Sequence, residues 1–349
     1  MKILTYAITL SFLVLACQKA TDQSTEVVSE GADNEIAYET VGSIERLDPE
    51  IDQLISAEAE IELLATGFDW TEGPLWIDEG GYLLFSDIPP NTVYRWNEDD
   101  SVTVYLNPSG YTGTAARGGE VGSNGLLRNS GGQLVLCQHG DRRMAVMDAP
   151  LSAPEPNYVT IVDKYQGKRF NSPNDGAYHT NGDLYFTDPP YGLEQQVDDP
   201  SKEIGFQGVY KVSPDGEVTL LVDSLTRPNG IAFSPDEKTL YVANSDSERA
   251  IWAAYDVQPD GLLANGRILF DATEWTLDKK GLPDGLKVNR QGYLFATGPG
   301  GVHILDPRGK HLGTIQTGQA TSNCALDEEG GFIYLTADMH LLRVPLVKN

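Results

Sequence analysis

The chain has 349 residues, 51 acidic against 25 basic side chains and a formal net charge of −26. That balance offers nothing to neutralise phosphates, which excludes nucleic acid as a partner. The length exceeds an ordinary single domain but suits a repeat fold in which each unit is one small sheet.

At the N-terminus, Lys2 precedes an apolar run from Ile3 to Leu15, too short to cross a bilayer. Leu13-Val14-Leu15-Ala16-Cys17 resembles the bacterial lipobox, which predicts a lipoprotein signal peptide over residues 1–16 and a lipid anchor on Cys17. An ordinary secretory peptide with an incidental Cys is the alternative. The anchor is the only membrane attachment expected. With Gln18 after the Cys, it implies export to the periplasmic face of the outer membrane or the cell envelope. Residues 18–62 carry thirteen Asp and Glu against Lys19 and Arg46. This composition predicts an acidic flexible spacer over 17–50 and a folded domain over 51–349. A weak helical patch is expected from Pro49 to Ala59. Cys137 and Cys324 fall four repeats apart in sequence, in blades two and six with blade one between them, which argues against a bond, and they read as small buried apolar residues.

From about Ile61 onward, short apolar runs alternate with Gly, Pro, Asn and Asp, the pattern of antiparallel sheet. Six polar residues recur ten or eleven positions before an apolar strand residue: Glu72, Asn124, Asn174, Asn229, Asp284 and Asn323 precede Leu83, Leu134, Leu184, Leu240, Leu294 and Ile333. Units of 39 to 56 residues built this way predict an all-β, six-bladed β-propeller with a central metal-binding channel. The last unit is the shortest, so Ile61-Glu62-Leu63-Leu64 is expected to close the ring. Innermost strands line a propeller's axis, so the six polar side chains should converge there. Glu72, Asn174, Asn229 and Asp284 supply two carboxylates and two amide oxygens, a donor set for a hard divalent cation. Ca²⁺ is the first choice, with Mg²⁺, Mn²⁺ and Zn²⁺ open, although the absence of sulfur and imidazole disfavours zinc. The competing reading is turn chemistry, because Asn-Gly and Asp-Gly are common turn formers. Glu at the same slot and Pro before three of the four favour ligands.

The chain resembles the SMP-30, gluconolactonase and luciferin-regenerating enzyme family, especially its bacterial gluconolactonase-type members. The resemblance rests on Trp70-Thr71-Glu72-Gly73-Pro74, Ser123-Asn124-Gly125-Leu126, Arg169-Phe170-Asn171-Ser172-Pro173-Asn174-Asp175, Thr187-Asp188-Pro189-Pro190-Tyr191-Gly192, Arg227-Pro228-Asn229-Gly230, Pro283-Asp284-Gly285 and Thr321-Ser322-Asn323-Cys324-Ala325. It implies that Glu72, Asn174, Asn229 and Asp284 hold the cation, that the substrate is a small lactone, and that Asp284 is the acid/base of ring hydrolysis. Asn124, Asn174, Asn323, Arg169 and His139 are candidate substrate contacts. The Gly-rich loop from Ser109 to Ser123 could cover the channel mouth. Two alternatives share the fold: an organophosphate or ester hydrolase using the same site, and a non-catalytic propeller that binds carbohydrate or protein.

Overall fold

Six antiparallel sheets follow one another through residues 71–345, each laid down from the axis outward. The structure is a computed structural model that describes residues 38–348 apart from 100 and 328. The expected signal peptide, Cys17 and the beginning of the spacer lie outside the described residues. Blade 1 comprises Thr71–Ile77, Tyr82–Asp87, Thr92–Asn97 and Ser101–Leu106, and blade 2 Ser123–Arg128, Leu134–Gln138, Arg143–Met147 and Tyr158–Val162. Blade 3 comprises Gly176–Tyr178, Leu184–Asp188, Gly208–Val212 and Val218–Val222, and blade 4 Pro228–Phe233, Thr239–Asn244, Ile251–Val257 and Leu263–Asp271. Blade 5 begins with Leu286–Val288, Leu294–Gly298, Gly301–Leu305 and His311–Gln316, and blade 6 with Thr321–Asp327, Phe332–Ala337 and His340–Pro345.

Burial explains why the second strand of each blade was easiest to read. Tyr82–Asp87, Leu134–Gln138, Leu184–Asp188 and Leu294–Gly298 are buried along their whole length, because a neighbouring blade covers each face. The outermost strand of blade 4, Leu263–Asp271, is largely exposed, and Ile268-Leu269-Phe270 is its one short apolar run. Apolar clusters fill the seams between successive blades. The seam between blades 6 and 1 joins Tyr334 and Leu341 to Leu83, Phe85 and Trp96, so the ring is closed by packing as well as by hydrogen bonds.

Ile61–Thr66 supplies the fourth strand of blade 6 by pairing antiparallel with His340–Pro345, as expected. The spacer is shorter than the sequence suggests. Glu39–Val41 adds a further strand to blade 6, and Ser43–Arg46 adds one to blade 5. The propeller therefore takes in chain well before residue 51. Both strands are sheet edges with polar side chains, so neither carries the apolar alternation that marks a strand. The expected helix over Pro49 to Ala59 is only a 3₁₀ turn, Pro49–Gln53, with Ile51 buried against blade 5.

Arg343 ties this closure together. Its guanidinium meets Glu62 of the closing strand at 2.6 Å, pairs with Glu98 of blade 1, and lies 4.4 Å over the Phe332 ring. Its side chain is almost fully enclosed, so removing it strands Glu62 without its partner. Arg343→Met is expected to lower stability by about 2 kcal/mol in urea unfolding. A midpoint unchanged from wild type would show that the closure does not depend on this pair.

Candidate functional site

The six polar residues do reach the axis, by a local device that spacing alone could not reveal. In blades 1, 2, 4 and 6 a register break falls at the start of the innermost strand, between Glu72 and Leu75, Ser123 and Leu126, Pro228 and Ile231, and Thr321 and Asn323. In blades 3 and 5 the paired strand begins only after Asn174 and Asp284. Such breaks turn a side chain out of the sheet, here toward the channel. The loops leading in are pinned from the second strand of the same blade. Asp87 accepts the Trp70 N–H at 2.9 Å, Asp188 those of Asn171 and Ser172 at 2.8 Å, and Asn244 that of Arg227 at 2.9 Å.

Two of the glycines that follow the polar residues, Gly230 and Gly285, bear on the turn reading. A Cβ on Gly230 would come within 2.2 Å of the Asp284 carbonyl oxygen, and one on Gly285 within 2.0 Å of the Asn323 amide carbon. Neither glycine has positive φ. They are glycines because the next blade's site residue lies directly against them, so Asn-Gly and Asp-Gly here record close inter-blade approach at the axis. A hydroxyl on the second strand also stitches neighbouring blades: Ser86 donates to the Asn124 carbonyl at 2.9 Å, and Thr187 to that of Asn229 at 2.7 Å.

Glu72, Asn124, Asn174, Asn229 and Asp284 line one cavity of about 480 Å³, together with Trp70, Glu120, Tyr191, Ser245 and Lys279 among others. Glu72 is buried; its Oε2 accepts from the Gly73 N–H at 2.8 Å and from Asn323 Nδ2 at 3.2 Å. Burial pushes its carboxyl up to about 8, against those two hydrogen bonds, and the charges of Asp175 and Glu120 add to the rise. Asp284 is half-buried as a residue, yet its Oδ1 is enclosed and has no hydrogen-bond partner, while the carboxyl takes a hydrogen bond from Asn229. Burial first, then the charges of Glu72, Glu120 and Asp175, hold it well above the usual carboxylate range. Asn124 Oδ1 is likewise buried without a partner.

These features test whether a cation fits. Two neighbouring carboxylates strongly resist ionising together, and two oxygens are enclosed with nothing to accept from, so the site lacks positive charge. Lys279, the one cationic side chain among the described residues on the cavity wall, has its ammonium 4.6 Å over the Trp275 ring. Among the described residues no trio of His, Cys, Asp and Glu is assembled to hold a metal. The donors are mixed carboxylate and amide oxygens, as a hard divalent ion takes. The residues fit such an ion.

The remaining candidates divide. His139 is fully buried, with Nε2 3.4 Å from Asn174 Nδ2 and Nδ1 3.1 Å from Glu120 Oε2. Asn323 does not line the cavity: its Nδ2 holds Glu72, and its Oδ1 accepts from the Cys324 N–H at 2.9 Å and from Lys287 Nζ at 3.3 Å. Its amide also hydrogen-bonds Asp175, so it holds carboxylates in place and lies off the cavity wall. Arg169 also lies away from the cavity, on the short hairpin Lys164–Tyr165 and Lys168–Arg169, where its guanidinium donates to the Asp141 carbonyl at 3.1 Å. Cys137 and Cys324 are free and buried.

Two carboxylates escaped the sequence reading. Asp175, next to Asn174, is buried 3.8 Å from Lys287 Nζ, and burial raises its carboxyl while Lys287 opposes the rise. Glu120 enters from the Gly-rich loop, off the repeat register, so no periodicity could expose it.

The fold and site define a six-bladed propeller with an oxygen-lined axial pocket. A family model described as the SMP-30/Gluconolactonase/LRE-like region matches residues 70–338, and the chain belongs to that family. A gluconolactonase of Zymomonas mobilis subsp. mobilis is 38% identical over 323 residues, covering 90% of this chain and 89% of the relative. A solved gluconolactonase from Xanthomonas campestris superposes with a TM-score of 0.75 at 30% identity, over 90% of this chain and 99% of its own. At 19% identity, a calcium-binding protein, regucalcin, from Agrobacterium tumefaciens shares the fold with a TM-score of 0.63, over 82% of this chain and 94% of its own.

Proposed function

We propose that this protein hydrolyses a small sugar lactone to its hydroxy acid, using a divalent cation held by Glu72, Asn174, Asn229 and Asp284, with calcium the first choice. The observation that carries the reading is the meeting of two uncompensated carboxylates with Asn124, Asn174 and Asn229 in one cavity. The gluconolactonase relatives, similar over most of both chains, support the substrate class.

When bound, a cation there would polarise the lactone carbonyl and offset the negative charge that develops on its oxygen. The chain's own residues do the rest. Asn323 holds Glu72 in place through Oε2. Asn124, with a free Oδ1, accepts from a ring hydroxyl and so orients the sugar. Trp70 and Tyr191 border the cavity and limit the water that reaches the carbonyl.

Hydrolysis of gluconolactone, followed by pH-stat, should fall to the uncatalysed rate when the protein is stripped with chelator, and return on adding Ca²⁺ or another divalent ion. Full activity in excess chelator would contradict the cation's part. Protein inactive on lactones under saturating calcium would contradict the lactonase reading itself.

A further inference from the structure

We infer that Glu120 is the proton acceptor for the hydrolytic water, held in place by His139, and that Asp284 is left to the cation. This inference rests on the lactonase reading.

A carboxylate bound to a cation is a weakened base, because the ion stabilises its deprotonated form and occupies an oxygen. Glu72 and Asp284 are the carboxylates placed around the cation, so hydrolysis needs a base outside that set and within reach of the same space. Among the described residues lining the cavity, Glu120 is the remaining carboxylate. It is about one-third exposed, so unlike Asp175 it meets solvent and can exchange its proton. It shares the cavity wall with Glu72 and Asp284, and its charge adds to the rise of both carboxyls.

The loop that carries Glu120 is fastened at several points. Arg117 donates to the Gly140 carbonyl at 2.6 Å and to that of Gly192, and its guanidinium lies 5.4 Å over the Tyr111 ring. The Gly118 N–H donates to Glu194 Oε1 at 2.9 Å. His139 is buried behind the loop, and its Nδ1, which has no hydrogen-bond partner in line, stands 3.1 Å from Glu120 Oε2. On its other edge, Nε2 faces Asn174 Nδ2 at 3.4 Å. With Nε2 accepting from the amide, Nδ1 carries the proton and lies beside the Glu120 carboxylate, so one ring touches both the base and a cation-binding amide.

The step balances without any further reactant. Water loses a proton to the Glu120 carboxylate as its oxygen bonds to the lactone carbonyl carbon, and the carbonyl π pair moves to oxygen. On collapse the ring C–O bond breaks, and Glu120 returns the proton to the departing ring oxygen, giving the alcohol and acid of the open product.

The test compares wild type, Glu120→Gln and Glu120→Ala, using lactone hydrolysis and calcium titration of the stripped protein by calorimetry. Glu120→Gln is expected to lower kcat by about 100- to 10,000-fold, with KM and calcium affinity within roughly twofold of wild type. Added formate should restore part of the activity of Glu120→Ala, a response that a merely structural side chain would not give. Activity of Glu120→Gln within a few-fold of an active wild type would overturn the inference. So would a tenfold or greater loss of calcium affinity, which would make Glu120 a ligand. Wild type inactive on lactones under saturating calcium would instead overturn the lactonase reading, and Glu120's role with it.

Discussion

Asp284→Asn is expected to abolish lactone hydrolysis while making the cation-free protein melt at a higher temperature. The two effects have one cause. Without a cation, Asp284 and Glu72 share an enclosed space in which each raises the cost of ionising the other. Neutralising one relieves that repulsion and stabilises the empty propeller. The same change removes a charged oxygen from the cation and with it several kcal/mol of charge stabilisation in the reaction, roughly a thousand-fold in rate. Wild type should gain about 2.7 kcal/mol from calcium at a hundred times its dissociation constant, on the order of 4 °C for a domain of this size. The variant should gain almost nothing. If Asp284→Asn kept the full calcium-induced rise in melting temperature, Asp284 would not be a ligand.

Stability of the cation-free protein should also fall as pH rises from about 4.5 to about 8, and saturating calcium should flatten that slope. The direction follows from Glu72. Its carboxyl is pushed up to about 8 in the folded chain, from the ordinary glutamate value of 4.5. Between those values the folded state holds a proton that the unfolded chain has released. The stabilisation is thus complete below 4.5 and is lost as pH rises through 8. At about 1.4 kcal/mol per pH unit, this carboxyl alone is worth roughly 3–5 kcal/mol across the window. Asp284 is shifted in the same direction and adds to the slope. Calcium held by the ionised pair should remove the penalty at neutral pH. Urea unfolding at pH 5, 6.5 and 8, with chelator and with calcium, checks this. Stability that rises with pH in chelator would show that the carboxylates are already compensated within the protein.

The ring was legible because its period survives in the second strands. Leu83, Leu134, Leu184, Leu240, Leu294 and Ile333 are each fully or almost fully buried between blades, so their spacing is a packing constraint written into the chain. The site was legible for a related reason: Glu72, Asn124, Asn174, Asn229 and Asp284 share one place in their blades and therefore one cavity. What stayed hidden was off that period. Glu120 arrives on an irregular loop, and Asp175 reads as the tail of the Asn174 motif. Arg169 illustrates the opposite error, since a charge within a recognisable motif was placed at the site but sits on an outer hairpin. Asn323 holds the right slot, yet its amide is already committed to Glu72, a side-chain pairing that no linear pattern records. The edge strands Glu39–Val41 and Ser43–Arg46 were missed because strands that bury little need little apolar sequence.

The most direct measurement is an anomalous difference map from crystals grown with calcium or a heavier divalent substitute. A single ion should appear in the axial cavity, with oxygens of Glu72, Asn174, Asn229 and Asp284 at about 2.3–2.6 Å from calcium, and Glu120 outside its coordination shell. An ion bound elsewhere, or no ion while those four side chains point apart, would contradict the proposed centre.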